Sequence, residues 1–130
     1  MNHIKEKYEY EESYIHKINL IFEIYLNEEK SYKDLRKLYI NTLHMYITSN
    51  DDEIKEFNTN LYKTIFNYLE QLFDDEIQKG NFRPNSKNLA KSLCATADGM
   101  FLLSVMIENY DLKTQLTNYF LEIEKLSKTN

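Results

Sequence analysis

An all-α fold, arranged as a five-helix antiparallel bundle, is predicted from three observations. Two Gly and one Pro in 130 residues leave little room for tight turns and favour a few long helices. Apolar side chains recur at helical spacing along nearly the whole chain, and no stretch alternates with the two-residue period of a strand. In residues 93–107, Asp98 is the only charge, and a helix apolar all round must be covered on every side. The chain length fits one domain, residues 1–130, burying about two thirds of the surface its unfolded form exposes.

The first helix is expected from about Tyr8 to Asn27, with Tyr14, Ile18, Ile21, Phe22 and Tyr25 on one face. Glu28, Glu29 and Lys30 carry no apolar period and read as a link. Ser31 is placed to cap the second helix, with Asp34 completing a capping box. Its apolar face runs through Leu35, Leu38, Tyr39, Thr42, Met45 and Tyr46. Asn50 or Asp51 can cap a long third helix, where Asp52 and Glu53 suit the positive end of the helix dipole. Ile54, Phe57, Leu61, Ile65, Leu69, Leu72, Phe73 and Ile77 line one side, widened by Tyr62 and Phe66. Gly80 suits the left-handed conformation that ends a helix, and Pro84 blocks continuation. The fourth helix opens near Asn85 or Ser86 and contains the apolar run. Asn109 and Tyr110 interrupt it. Asp111 can then cap a fifth helix that presents Leu112, Leu116, Tyr119, Phe120, Ile123 and Leu126.

Composition removes several function classes. The formal net charge is −5, and the only arginines are Arg36 and Arg83. Phosphate recognition needs a dense basic face, whereas the most basic stretch here, Lys30–Lys37, is interrupted by Asp34 and solvates a helix. No zinc spacing, phosphate-binding glycine loop, dinucleotide fingerprint or nucleophile elbow occurs. His3, His16 and His44 are far apart, and His16 with Glu12 reads as a surface i,i+4 pair. Asp74, Asp75 and Glu76 are consecutive and fan around a helix. Neither a metal, a cofactor nor an enzymatic activity is expected. The lone Cys94 cannot form an intrachain disulfide and reads as a small buried thiol. With no apolar leader after Met1, this points to the cytoplasm. Residues 93–107 fall short of the roughly 18–20 residues that cross a bilayer, so no membrane span is expected.

Eleven Tyr and seven Phe are unusual beside so few Gly and Pro. Aromatic side chains fill cores, and tyrosines can also line an amphipathic cavity, because each joins an apolar ring to a hydroxyl that needs a partner. Phe22, Tyr25, Tyr39, Tyr46, Tyr62, Phe66, Met100 and Phe101 are the expected lining of an effector pocket, with Met45 or Met106 adjusting its shape. Such a pocket suits a planar or cationic hydrophobic molecule. The uniformly apolar run, followed by an amphipathic last helix, also suggests that a second subunit supplies cover. Ala97, Phe101, Ser104, Val105, Leu116, Tyr119, Phe120 and Ile123 are the expected contacts of a homodimer. Gly99 suggests close helix approach, and Asp98 a hydrogen-bonded or ion-paired structural role in preference to ligand contact.

Gly80-Asn81-Phe82-Arg83-Pro84 after a long helix, Leu89-Ala90 opening the next, Ala97-Asp98-Gly99-Met100 within it and Asp111-Leu112 opening the last resemble the C-terminal half of a TetR-family transcriptional repressor. The likeness extends loosely over residues 8–126 through the number, order and lengths of the helices. It implies a regulatory domain that binds a small hydrophobic or amphipathic effector and carries the dimer interface. In that family, effector binding tilts DNA-reading domains out of register with the operator. The three-helix DNA-binding domain with which such proteins begin has no counterpart before Tyr8, so the chain alone is expected not to bind DNA. A helical protein-interaction or scaffold module is the alternative.

Overall fold

Phe22 divides the first apolar segment into two helices. Its backbone leaves helical geometry (φ −104°, ψ 21°), so Tyr14–Ile21 (α1) and Glu23–Leu26 (α2) follow one another with a change of direction. The computed structural model describes residues 13–48 and 50–129. The expected first turn from Tyr8, together with His3 and Glu12, lies outside the described residues. Beyond α2 come Lys30–Thr48 (α3), Asp52–Gln78 (α4), a 3-10 turn at Pro84–Asn88, Leu89–Met106 (α5) and Leu112–Ser127 (α6). The protein is all-α. Among the described residues the one sheet-like pairing is an isolated bridge between Phe82 and Lys128.

The helix ends follow local chemistry. Ser13 accepts from the His16 amide and opens α1. Asp51 accepts from the Glu53 amide at 2.9 Å to open α4. Asp111 takes both the amide and the hydroxyl of Thr114 to open α6. Each satisfies backbone donors that a helix start leaves bare, for about 1 kcal/mol. Gly80 ends α4 with φ +81°, and Asn109 makes the corresponding left-handed turn after α5 with φ 67°. The expected capping role of Ser31 is displaced, because α3 begins one residue earlier. Asn27 accepts from the Glu29 amide, and the Glu29 carbonyl receives the first amides of the helix. The fourth helix likewise starts later than the sequence suggests, since Pro84–Asn88 winds as a 3-10 turn.

At about 1.5 Å per residue, the 27-residue α4 runs about 40 Å and forms the spine. Its C-terminal half buries Leu69, Leu72 and Phe73, and the helix packs against α1, α5 and the 3-10 turn. Ile18, Leu93, Ala97, Leu116 and Phe120 complete this core. Tyr14 fixes α1 to α6 by donating to the Phe120 carbonyl, and its ring meets Phe82 and Phe73 edge-on. The turn after α4 and the end of α6 are fastened together: the Arg83 amide donates to the Ser127 carbonyl, and the Thr129 amide to that of Asn81. The first half of α4 and the end of α3 extend past this core. Leu38, Met45, Tyr46 and Phe57 are therefore exposed instead of forming a buried face.

The apolar run is covered on one side only. Ala90, Leu93, Cys94, Ala97 and Phe101 face the core, whereas Leu102, Leu103, Val105 and Met106 are exposed. Nothing lies within 4 Å of where a Cβ on Gly99 would sit, so close approach within the chain does not explain that glycine. Together with the preceding turn, Pro84–Met106 is long enough to cross a bilayer and contains an 18-residue window of mean hydropathy 1.3, whereas residues 93–107 alone are too short. Its inner face is part of the core described above.

Candidate ligand-binding site

Asp98 points from the middle of α5 toward three tyrosines carried by three different helices. Tyr25 of α2 donates to Oδ1 at 2.6 Å. Tyr62 of α4 donates to Oδ2 at 2.6 Å, and Tyr39 of α3 donates to the same oxygen at 3.1 Å. The hydroxyls of Tyr39 and Tyr62 also hydrogen-bond each other. These bonds favour the charged carboxylate, but burial opposes it more strongly, and the Asp98 pKa is raised above the ordinary range. The Tyr25 and Tyr39 hydroxyls are pushed upward as well, by burial first and the neighbouring carboxylate second. Cys94, one turn before Asp98, is driven up to about 12 by the same two causes. It stays a thiol at neutral pH and offers no thiolate nucleophile.

A cavity of about 290 Å³ opens beside this cluster. Its wall is largely aliphatic and aromatic, with Ile21, Phe22, Ile24 and Tyr25 from the first two helices. Tyr32, Leu35 and Tyr39 come from α3, Leu61 and Ile65 from α4, and Asp98 from α5. The volume is at the small end of ligand sites, which span roughly 300–1,000 Å³. Arg36 helps hold the roof in place: its guanidinium donates to the carbonyls of Ile24 and Asn27 at 2.7 and 2.9 Å. These accept at the open end of α2, so one side chain closes that helix and ties α3 to it. Deeper in, Phe101 stacks on Tyr25 with centroids 4.7 Å apart and packs against Tyr39.

The expected pocket residues divide into three groups. Phe22, Tyr25 and Tyr39 line the cavity, and Tyr62 reaches it through Asp98. Tyr46 and Phe66 line a separate, shallower groove with Tyr62, between α3 and α4. Phe101 and Met100 pack with the core without lining either space. For Asp98 the sequence favours a structural role over ligand contact; the structure gives it hydrogen bonds to three tyrosines and also places it, with Glu23, in the cavity lining. Its signal was present as the single charge in an apolar helix.

The expected dimer contacts divide between core and surface. Ala97, Phe101, Leu116, Phe120 and Ile123 lie inside the chain's own core, where a partner cannot reach them. Ser104 and Tyr119 are half-buried, and Val105 is exposed. The acidic triplet diverges as its spacing implies: Asp74 pairs with Lys87, Asp75 with Lys17, and Glu76 accepts from the Asn81 side-chain amide. Among the described residues, no three His, Cys, Asp or Glu side chains are grouped to hold a metal ion. Comparison with known proteins finds no matching family model, no similar curated protein and no similar solved structure.

Proposed function

We propose that this chain is the ligand-sensing and dimerisation domain of a TetR-like transcriptional repressor, in a cytoplasmic protein, and that it binds a small hydrophobic or amphipathic effector. The observation that carries the reading is the mainly apolar cavity beside Asp98, whose wall comes from five helices. A ligand there touches α2, α3, α4 and α5 together, so its binding energy can bias how the helices sit relative to one another. The Phe-Arg-Pro turn and the mid-helix Asp-Gly support the family part of the proposal.

The same reading places a homodimer contact on the outward faces of α5 and α6, where Leu102, Leu103, Met106 and Leu121 are exposed. The open space at Gly99 would admit a partner helix there. DNA binding then belongs to a separate reader domain and not to this acidic chain. The test is thermal stabilisation by a library of small amphipathic compounds, since a ligand specific for the native state raises its stability. A saturable shift abolished by Leu35→Trp, which places an indole at the half-exposed wall of the cavity, supports the sensor. No saturable shift, combined with stoichiometric capture of a protein partner, favours a scaffold module.

A further inference from the structure

The charge of the cavity is one-sided. Among the described residues, two carboxylates, Glu23 and Asp98, belong to its lining, and no Lys, Arg or His does. Asp98 accepts from three hydroxyls but has no ion-pair partner among the described residues. A carboxylate offers about four lone-pair sites. The three donors therefore satisfy most of its hydrogen bonding while leaving its charge uncompensated. Burial accordingly disfavours ionisation, and the carboxyl pKa is raised. Phe22, Tyr25 and Tyr39 surround the same space, and aromatic rings attract cations most strongly where water is excluded.

We propose that this cavity selects a small organic monocation, a protonated amine or quaternary ammonium on an apolar body, whose charge is paired with Asp98. The inference rests on reading the cavity as the effector site and adds the chemical class of the effector. A neutral ligand would leave the buried carboxylate uncompensated, and an anion would be repelled by both acids. A monocation supplies the missing charge, and its apolar body replaces water along Ile21, Ile24, Leu61 and Ile65.

The test uses the full chain and two probes of nearly identical shape. These are phenyltrimethylammonium and its neutral carbon analogue, tert-butylbenzene, each titrated by calorimetry and by thermal shift. The cation should bind saturably and at least about tenfold more tightly, a difference of about 1.4 kcal/mol. Asp98→Asn should erase that preference while leaving the affinity for tert-butylbenzene in place. Equal or tighter binding of tert-butylbenzene to the unaltered chain overturns the charge assignment and leaves a ligand cavity standing. Cation preference that persists in a folded Asp98→Asn protein overturns the role of Asp98. Saturable binding of neither probe overturns the monocation proposal, and a failed amphipathic library would then remove the cavity reading too. If Asp98→Asn does not fold, the two-probe comparison on the unaltered chain decides alone.

Discussion

Removing the Tyr25 hydroxyl tests whether the tyrosines hold an ionised carboxylate or merely surround one. Tyr25→Phe keeps the ring, and so keeps its stacking on Phe101 and its packing on Phe22. It deletes the 2.6 Å bond to Asp98 and, with it, the hydroxyl's interaction with Tyr39. Hydrogen bonds to charged groups contribute about 1.5–3 kcal/mol, against about 0.5–1.5 for neutral pairs. Water from the adjoining cavity can replace the hydroxyl in part, which places the expected loss near 1.5–2 kcal/mol. With a urea slope of about 1–3 kcal/mol per molar, the unfolding midpoint should fall by about 1 M. The bond favours the charged form, so the loss should be larger near pH 8 than near pH 5, where the raised Asp98 pKa brings more protonation. In an Asp98→Asn background the same substitution should cost less than about 1 kcal/mol, and the shortfall measures the coupling. Urea titrations at both pH values and fixed protein concentration provide the assay. A cost below about 0.5 kcal/mol at both pH values, or an equal cost with Asp and Asn at position 98, would refute a charge-assisted bond.

Three further outcomes are expected. Because folding raises the Asp98 pKa, the folded chain holds that proton more tightly than the unfolded one. The Asp98 contribution to stability is therefore most favourable below about pH 3.9 and declines as pH rises toward the folded value, by at most about 1.4 kcal/mol per pH unit. The stability of wild type minus that of Asp98→Asn should fall over that interval, and a flat difference in chemical denaturation would contradict the raised pKa. Cys94, buried and with its thiol near 12, should resist an aromatic disulfide reagent in the native state and react at once in denaturant. Gly99→Ala should raise thermal stability by up to about 1 kcal/mol in a monomer, since nothing crowds the added methyl and alanine favours helix. If sedimentation equilibrium shows a dimer that this substitution leaves intact, Gly99 is not at its interface.

Helix boundaries were legible where one residue carries the local chemistry. Asp51, Asp111 and Gly80 do in the structure what their types announce. The break at Phe22 was not legible, because an apolar period continues unaltered across it from Ile18 to Tyr25. Nor was the inward face of α5. Residues 93–107 are apolar on every side, so periodicity cannot choose between the rotation that buries Ala97 and Phe101 and one that exposes them. With about 100° between successive residues, an error of one position moves a contact face by more than a quarter turn. The eight dimer contacts inferred from sequence carried that ambiguity, and five of them proved to be core. The outer face of α3 failed for a different reason. Its apolar residues have the right spacing, but α3 and the first half of α4 extend beyond the elements that could cover them.

The tyrosine cluster shows why a site is harder to read than a fold. Tyr25, Tyr39 and Tyr62 stand 73, 59 and 36 residues before Asp98, and no local pattern distinguishes them from the other eight tyrosines. What the sequence did carry was the anomaly itself, one carboxyl group in an apolar helix. Stability alone gives that group little justification. Well-packed apolar side chains in place of buried charge are often neutral or stabilising, and a neutral amide could accept from the same hydroxyls without the cost of desolvating a charge. Three donors from three helices nevertheless hold the carboxylate at the edge of a cavity instead of sealing it away. Where Asp98 is ionised against the opposition of burial, it has unspent attraction for a positive charge, so the binding strength of a cation and the instability of the empty cluster have one source. Substitutions that relieve Asp98 should therefore stabilise the free protein in proportion to the cation affinity they remove.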